Sequence, residues 1–245
     1  MMNCKKKNLS HALVACLLAT LLSACDEGRL YEDRLVLPEE GLVLKLTGRV
    51  SGIDTWPGDY SVVVAGFSGD NEYASITKNV PLPATDGAEV EVVVAGISED
   101  ITRLELCAVD RLRHHMATFV ALPSPSEHMG EDTVRCDVGT VDVGMYRTVQ
   151  TQVFDASCTS CHGATGTASA SLFLTGDRSY EALVGQPSRL EPERLLVSPG
   201  NADESFLSLV LHENGHTGMN HVDILSGEPD MLTLMDDWID HGAQP

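Results

Sequence analysis

The chain has 245 residues, enough for two small domains. Its 36 Asp and Glu residues against 16 Lys and Arg give a formal net charge of −20, so it lacks the basic surface that nucleic-acid binding requires. A hydrophobic content of 43% suffices for a packed core, and an aromatic content of 5% favours cores of Val, Leu and Ala.

The first 24 residues have the features of an export signal. Three lysines precede an apolar run, Leu9–Leu22, that is too short and too interrupted to be read first as a membrane-spanning helix. The tetrapeptide that ends in Cys25 resembles the lipobox of bacterial lipoproteins. This resemblance implies removal of residues 1–24, a lipid on Cys25, and a membrane-anchored place in the cell envelope, periplasmic or at the surface. An ordinary secretory signal with a chance cysteine is the alternative. Residues 25–40 are expected to form a tether.

Residues 41–145 carry the period-two hydrophobic pattern of β-strands, and turn-forming residues separate the runs. Six short strands at this spacing predict an antiparallel β-sandwich. The pattern resembles the immunoglobulin-like or transthyretin-like modules of bacterial lipoproteins. The predicted strands begin at Leu42 and then cover Tyr60–Phe67, Val90–Ala95, Thr102–Val109, Met116–Leu122 and Val134–Val143.

Helical periodicity follows the predicted strands. Val149, Val153 and Phe154 are spaced as on a helix that leads into Cys158. A short apolar helix is predicted over Ser205–Leu211. The last predicted helix begins near Pro229 and ends before Gly242, with one apolar face: Met231, Leu232, Met235, Trp238 and Ile239.

The strongest chemical signal is the sequence Cys158-Thr159-Ser160-Cys161-His162, because C-x-x-C-H is the attachment pattern of c-type haem. On a helical turn, residues i and i+3 share a face, so Cys158 and Cys161 can bond the two vinyl groups of one haem. His162 is then the proximal axial ligand. A thioredoxin-type dithiol is an alternative, but no βαβ pattern surrounds it. A zinc site is another, but it lacks a second ligand pair at zinc-finger spacing.

The remaining cysteines can be assigned from their positions in the sequence. Cys4 and Cys16 lie in the signal segment, and Cys25 takes the lipid. Cys107 and Cys136 are then an even pair in an oxidising compartment, which predicts a disulfide between two strands.

Residues 147–245 resemble a small class I cytochrome c domain of the kind found in bacterial lipoproteins and planctomycete-type haem modules. The resemblance is carried by Phe154–Gly163, Val197–Ser205, Gly218-Met219 and Leu234–Ala243. It implies an all-α fold with one covalent haem c. The expected fold class is therefore two domains: an all-β sandwich, residues 41–145, followed by an all-α cytochrome c domain.

The resemblance also implies a methionine as distal ligand of the haem iron. The family has Gly-x-Met-Pro, and here Gly218-Met219-Asn220 lacks the proline. Met219 is the expected distal ligand, and His216 and His221 stay open as alternatives.

A second motif, H-E-x-x-H, spans His212–His216 and is the zincin signature. That chemistry needs both histidines on one face of a stable helix. Asn214 and Gly215 instead predict that the helix ends before them, so we expect a polar loop.

The expected function is single-electron transfer by an exported, lipid-anchored monohaem cytochrome c without substrate turnover of its own. A haem enzyme or sensor with an open sixth site is the first alternative, and a binding or adhesion lipoprotein is the second. In residues 147–245 acidic residues outnumber arginines and lysine is absent, so a redox partner with a basic docking face is expected.

Overall fold

The computed structural model describes residues 41–128, 133–163 and 168–245. The predicted signal, the lipid site Cys25 and the tether lie outside the described residues. No helix within the described ranges is long and apolar enough to span a membrane.

Within the described ranges, seven strands form two sheets. They are β1 (Leu42–Ser51), β2 (Tyr60–Phe67), β3 (Ile76–Asn79), β4 (Glu89–Ile97), β5 (Arg103–Asp110), β6 (His115–Leu122) and β7 (Thr133–Asp142). Six of them coincide with the predicted runs, and the short β3 was not predicted. One sheet has the order β4-β1-β7, in which β1 pairs antiparallel with β4 and parallel with β7. The other is antiparallel with the order β3-β2-β5-β6.

The two sheets enclose an aliphatic core, as the period-two pattern requires. Alternate residues of β1, β4, β2 and β5 are buried in this core, whereas their neighbours on β1 and β4 are mostly more exposed. The core includes Leu44, Leu46, Val62, Val64, Val90, Val92, Leu104 and Leu106.

Short helices follow β7. They are α1 (Met145–Thr148), a π-helical segment (Val149–Cys158), α2 (Thr159–His162), α3 (Ser179–Leu183), α4 (Phe206–His212) and α5 (Pro229–Asp240). The α-helices have between 4 and 12 residues. Irregular chain and short 3-10 turns connect them.

The predicted fold class, a β-sandwich domain followed by a separate all-α cytochrome c domain, is wrong. The described residues are mostly β among their regular elements, and from residue 41 onward they fall in one compact unit. The buried faces of the helices form a core that extends onto β5 and β6. The shared core contains Ala108, Met116 and Ala117 of the strands together with Val149, Phe154, Leu234 and Trp238 of the helical segment.

The predicted disulfide does not form: Cys107 and Cys136 are free thiols. Cys107 lies on β5 and packs with Val63 and Phe67 on the face of its sheet opposite the inter-sheet core. Cys136 lies on β7 of the other sheet and packs against the inter-sheet core. Because the two side chains point to different faces, no bridge of normal geometry can join them.

Candidate functional site

The helical run that leads into Cys158 is anchored by buried apolar side chains. Three side chains of this run are fully buried: Val149, Val153 and Phe154. Complete burial of a phenylalanine side chain contributes about 1.5–3 kcal/mol to folding. Tyr146 at the start of the run stacks on Trp238 of α5 with ring centroids 5.1 Å apart. The run changes from α to π geometry before Cys158, a feature that recurs at functional sites.

Cys158, Cys161 and His162 lie on the wall of a cavity of about 780 Å³. This volume is within the range of about 300–1,000 Å³ that is typical of ligand and cofactor pockets. Cys158 is half-buried and Cys161 is exposed. The three residues of the C-x-x-C-H motif that could bind a haem therefore line one cavity.

The rest of the cavity wall is mainly apolar. Leucines from the chain segments around α2, α3 and α4 supply most of it: Leu172, Leu174, Leu183, Leu196, Leu207 and Leu211. Phe206 and Val210 of α4 add to it. Leu190 and Met219, two large apolar side chains that are more than half exposed, continue this wall to the surface. Among the described lining residues, Arg189 is the one with a permanent positive charge.

The Cys158 thiol does not have the character of the nucleophile of a redox-active dithiol. Burial, together with the nearby Cys161, raises the pKa of the Cys158 thiol to about 11. A thioredoxin-type nucleophile needs the opposite shift, because the thiolate is the attacking species.

The motif does not have the geometry of a zinc centre either. Zinc ligands converge on one ion with bonds of about 2.0–2.3 Å. Among the described residues, one group of three ligand atoms lies within 4.8 Å of one another. These atoms belong to Glu72, His114 and Asp230, not to the C-x-x-C-H motif. Haem attachment has no such requirement, since the thiols bond the edge of the macrocycle and the imidazole bonds its centre.

His162 is oriented by the chain that follows α2. Its Nδ1 donates to the carbonyl oxygen of Leu172 at 3.3 Å, because a carbonyl can only accept. The amide of Leu174 in turn donates to the carbonyl of His162 at 2.8 Å. In the neutral ring this contact leaves the lone pair on Nε2, which is the state that a metal-binding imidazole needs.

The loop that contains Met219 forms another part of the cavity wall. Thr217, Gly218, Met219 and His221 all line the cavity. The Met219 side chain is 52% exposed. The His221 ring faces the same space as His162, with ring centroids 6.4 Å apart.

The H-E-x-x-H motif is divided by a helix end. α4 ends at His212, one residue later than predicted, and Glu213 is extended. His212 Nε2 contacts Asp236 at 2.7 Å, and His216 Nδ1 contacts Glu191 at 3.1 Å. The two histidines face different carboxylates and do not form a zincin site.

Two sets of residues were missed by sequence reasoning. Arg189 and Leu190 at the cavity rim belong to no motif. Glu72, His114 and Asp230 come from a loop, a turn and a helix that are far apart in sequence, so no local spacing could reveal their proximity. Only the chain fold brings each set together.

No protein-family model matches this chain, and neither a curated protein nor a solved structure matches it.

Proposed function

We propose that this protein binds one haem c covalently and acts in single-electron transfer. The observation that carries the proposal is the largely apolar cavity of about 780 Å³ with Cys158, Cys161 and His162 on its wall. Attachment needs two thiols, one imidazole and an apolar space beside them; it does not need an all-α domain.

Each side chain has a definite part in this proposal. Cys158 and Cys161 would hold the haem through thioether bonds, and His162 would bind its iron. The hydrogen bond from Nδ1 of His162 to Leu172 would hold the ring in its orientation toward the cavity. Arg189 is available to pair with a haem carboxylate. When bound, the haem iron supplies one-electron chemistry, and the apolar wall tunes its potential by excluding water.

The cellular setting of the proposed function follows from the sequence. A lipid on Cys25 would hold the protein at a membrane of the cell envelope, where covalent attachment prevents loss of haem. The acidic balance of residues 147–245 suits a redox partner with a basic face, whose association would be fast and salt-sensitive. We propose no substrate turnover.

The test is to produce the full chain in cells that carry the c-type haem maturation machinery. We expect haem to stay with the polypeptide after denaturing electrophoresis and acid-acetone extraction, because thioether bonds survive both. The double variant Cys158→Ser/Cys161→Ser should lose covalent haem entirely.

Cys136→Ser is the matched control, because it removes a free thiol outside the cavity. It should retain a full haem complement. Absence of covalent haem from the wild-type chain, or its survival in the double variant, would refute the proposed function.

A further inference from the structure

The cavity wall contains two histidines whose rings lie close together, His162 and His221. His162 is the last residue of α2, and His221 precedes the 3-10 turn Val222–Ile224. Their ring centroids are 6.4 Å apart and their planes are inclined by 31°. A metal between two imidazoles, with a bond of about 2 Å to each nitrogen, holds the ring centres about 6 Å apart.

Both rings have the same nitrogen engaged. Nδ1 of His221 lies 3.2 Å from the carbonyl oxygen of Met219 and 3.0 Å from Oγ1 of Thr217. In its neutral form, a His221 ring that donates from Nδ1 to this carbonyl carries its lone pair on Nε2. His162 reaches the same state through Leu172. Metal-binding histidines commonly donate the other ring N–H to a backbone carbonyl in this way.

The other candidate ligands are less suitably placed. Met219 lines the cavity, but its side chain is 52% exposed, and its carbonyl accepts hydrogen bonds from Thr217 and His221. The two ring nitrogens of His216 lie 3.1 Å from Glu191 and 3.5 Å from Glu213. His216 does not line the cavity, within the part of the chain that is described.

From these contacts we infer that His221, and not Met219, is the second axial ligand of the iron. The inference rests on the proposed haem attachment. It assigns Thr217 and the Met219 carbonyl as positioning groups that hold the His221 ring. It implies a six-coordinate, low-spin iron and a lower reduction potential than histidine/methionine ligation would give. It also closes the sixth site, in contrast to a peroxidase-like enzyme or a gas sensor.

The test compares His221→Ala with Met219→Leu in the full, haem-loaded chain. Covalent haem is checked first by denaturing electrophoresis, which does not depend on axial ligation. We expect the wild type to show the electron paramagnetic resonance signals of two imidazoles and no ferric sulfur–iron band. Met219→Leu should keep this spectrum, whereas His221→Ala should become high-spin and bind carbon monoxide readily when reduced.

Imidazole rescue separates loss of a ligand from loss of the fold. Millimolar imidazole added to His221→Ala should restore the low-spin spectrum, because it can occupy the place of the missing ring. If the wild type shows the sulfur–iron band, or if Met219→Leu becomes high-spin while His221→Ala does not, the assignment is wrong although haem attachment stands. If the wild type holds no covalent haem, both the assignment and the proposed function fail.

Discussion

At the scale of single residues, burial decides what each thiol can do. Cys158 is half-buried beside Val153, whose carbonyl its Sγ atom approaches at 3.7 Å. Removal from water disfavours the charged form and raises the pKa of this thiol to about 11, with a further contribution from Cys161. A thiol in this state is protected from oxidation and metal capture until it reacts with another group in the cavity.

This shift predicts slow alkylation of Cys158 in haem-free protein. With a pKa raised from 9.0 to about 11, its thiolate fraction at pH 8 falls about 100-fold. We expect iodoacetamide labelling of Cys158, followed by peptide mass spectrometry, to be slower by about this factor than labelling of the same thiol in urea-unfolded chain. The rate should rise with pH up to about 11.

The exposed Cys161 is the internal control, because access does not limit its labelling. Equal rates for Cys158 in the folded and the unfolded chain at pH 8 would contradict the proposed burial. The same shift destabilises the folded chain at high pH. Between the unfolded pKa near 9 and the folded value near 11, the unfolded chain loses a proton that the folded chain retains.

At the scale of elements, α5 joins the helical segment to the strands. Its buried face packs Leu234, Met235, Trp238 and Ile239 into the shared core. On another face, Asp237 accepts a hydrogen bond from the hydroxyl of Tyr60 on β2. Tyr60 also packs edge-on against Trp56 with ring centroids 5.5 Å apart. The hydrogen bond between Tyr60 and Asp237 joins two residues that are 177 positions apart in sequence.

We predict that Tyr60→Phe destabilises the protein by about 1.5–3 kcal/mol, the usual worth of a hydrogen bond to a charged group. Phenylalanine retains the aromatic packing, so the decrease in the free energy of unfolding measures the contribution of the hydroxyl group. Urea unfolding of wild type and variant measures the difference. Tyr73→Phe, at a tyrosine that is 50% exposed, is the control and should change stability little.

The advantage in stability of wild type over Tyr60→Phe, measured as the difference in free energy of unfolding, should also depend on pH. Burial, and then the hydrogen bond and charge of Asp237, raise the pKa of Tyr60 well above its ordinary value of 10.0. Above about pH 10 the unfolded chain deprotonates this tyrosine while the folded chain does not, so the advantage should shrink as pH rises. A difference that is constant from pH 7 to 11 would contradict the contact.

At the scale of the whole molecule, strands and helices share one core. Trp238 of α5 and Phe154 of the π-helical segment belong to the same buried cluster as Ala108 and Ala117 of the strands. Trp56 packs against both this cluster and the core between the sheets. The helical segment and the strands therefore share buried apolar surface.

A shared core predicts one cooperative unfolding transition. The two tryptophans, Trp56 and Trp238, report on the strands and on the last helix. In the haem-free variants Trp238→Phe and Trp56→Phe, the fluorescence of the remaining tryptophan and the far-ultraviolet circular dichroism should give the same urea midpoint. Separate midpoints for the two probes within either variant would indicate independently folding units.

Local sequence patterns predicted much of the secondary structure. The strands β1, β2, β4, β5, β6 and β7 and the helices α4 and α5 lie within a few residues of their predicted positions, because burial of one face imposes a period of two or 3.6 on the sequence. The short β3, whose residues are half-buried or exposed, has no such period. The C-x-x-C-H motif could be located without a structure because its spacing is local.

What only the tertiary structure decided is which surfaces meet. The sequence contains the free thiols Cys107 and Cys136, but whether they face each other depends on two sheets packing in a particular way. The sequence contains His216, Met219 and His221 within six residues, but which of them faces His162 depends on the path of one loop around a cavity. Whether short helices form their own domain or cover a sheet depends on the total apolar surface that they can bury against each other. Secondary structure follows from neighbours in sequence, whereas pairing across the fold follows from long-range packing, which a single sequence does not display.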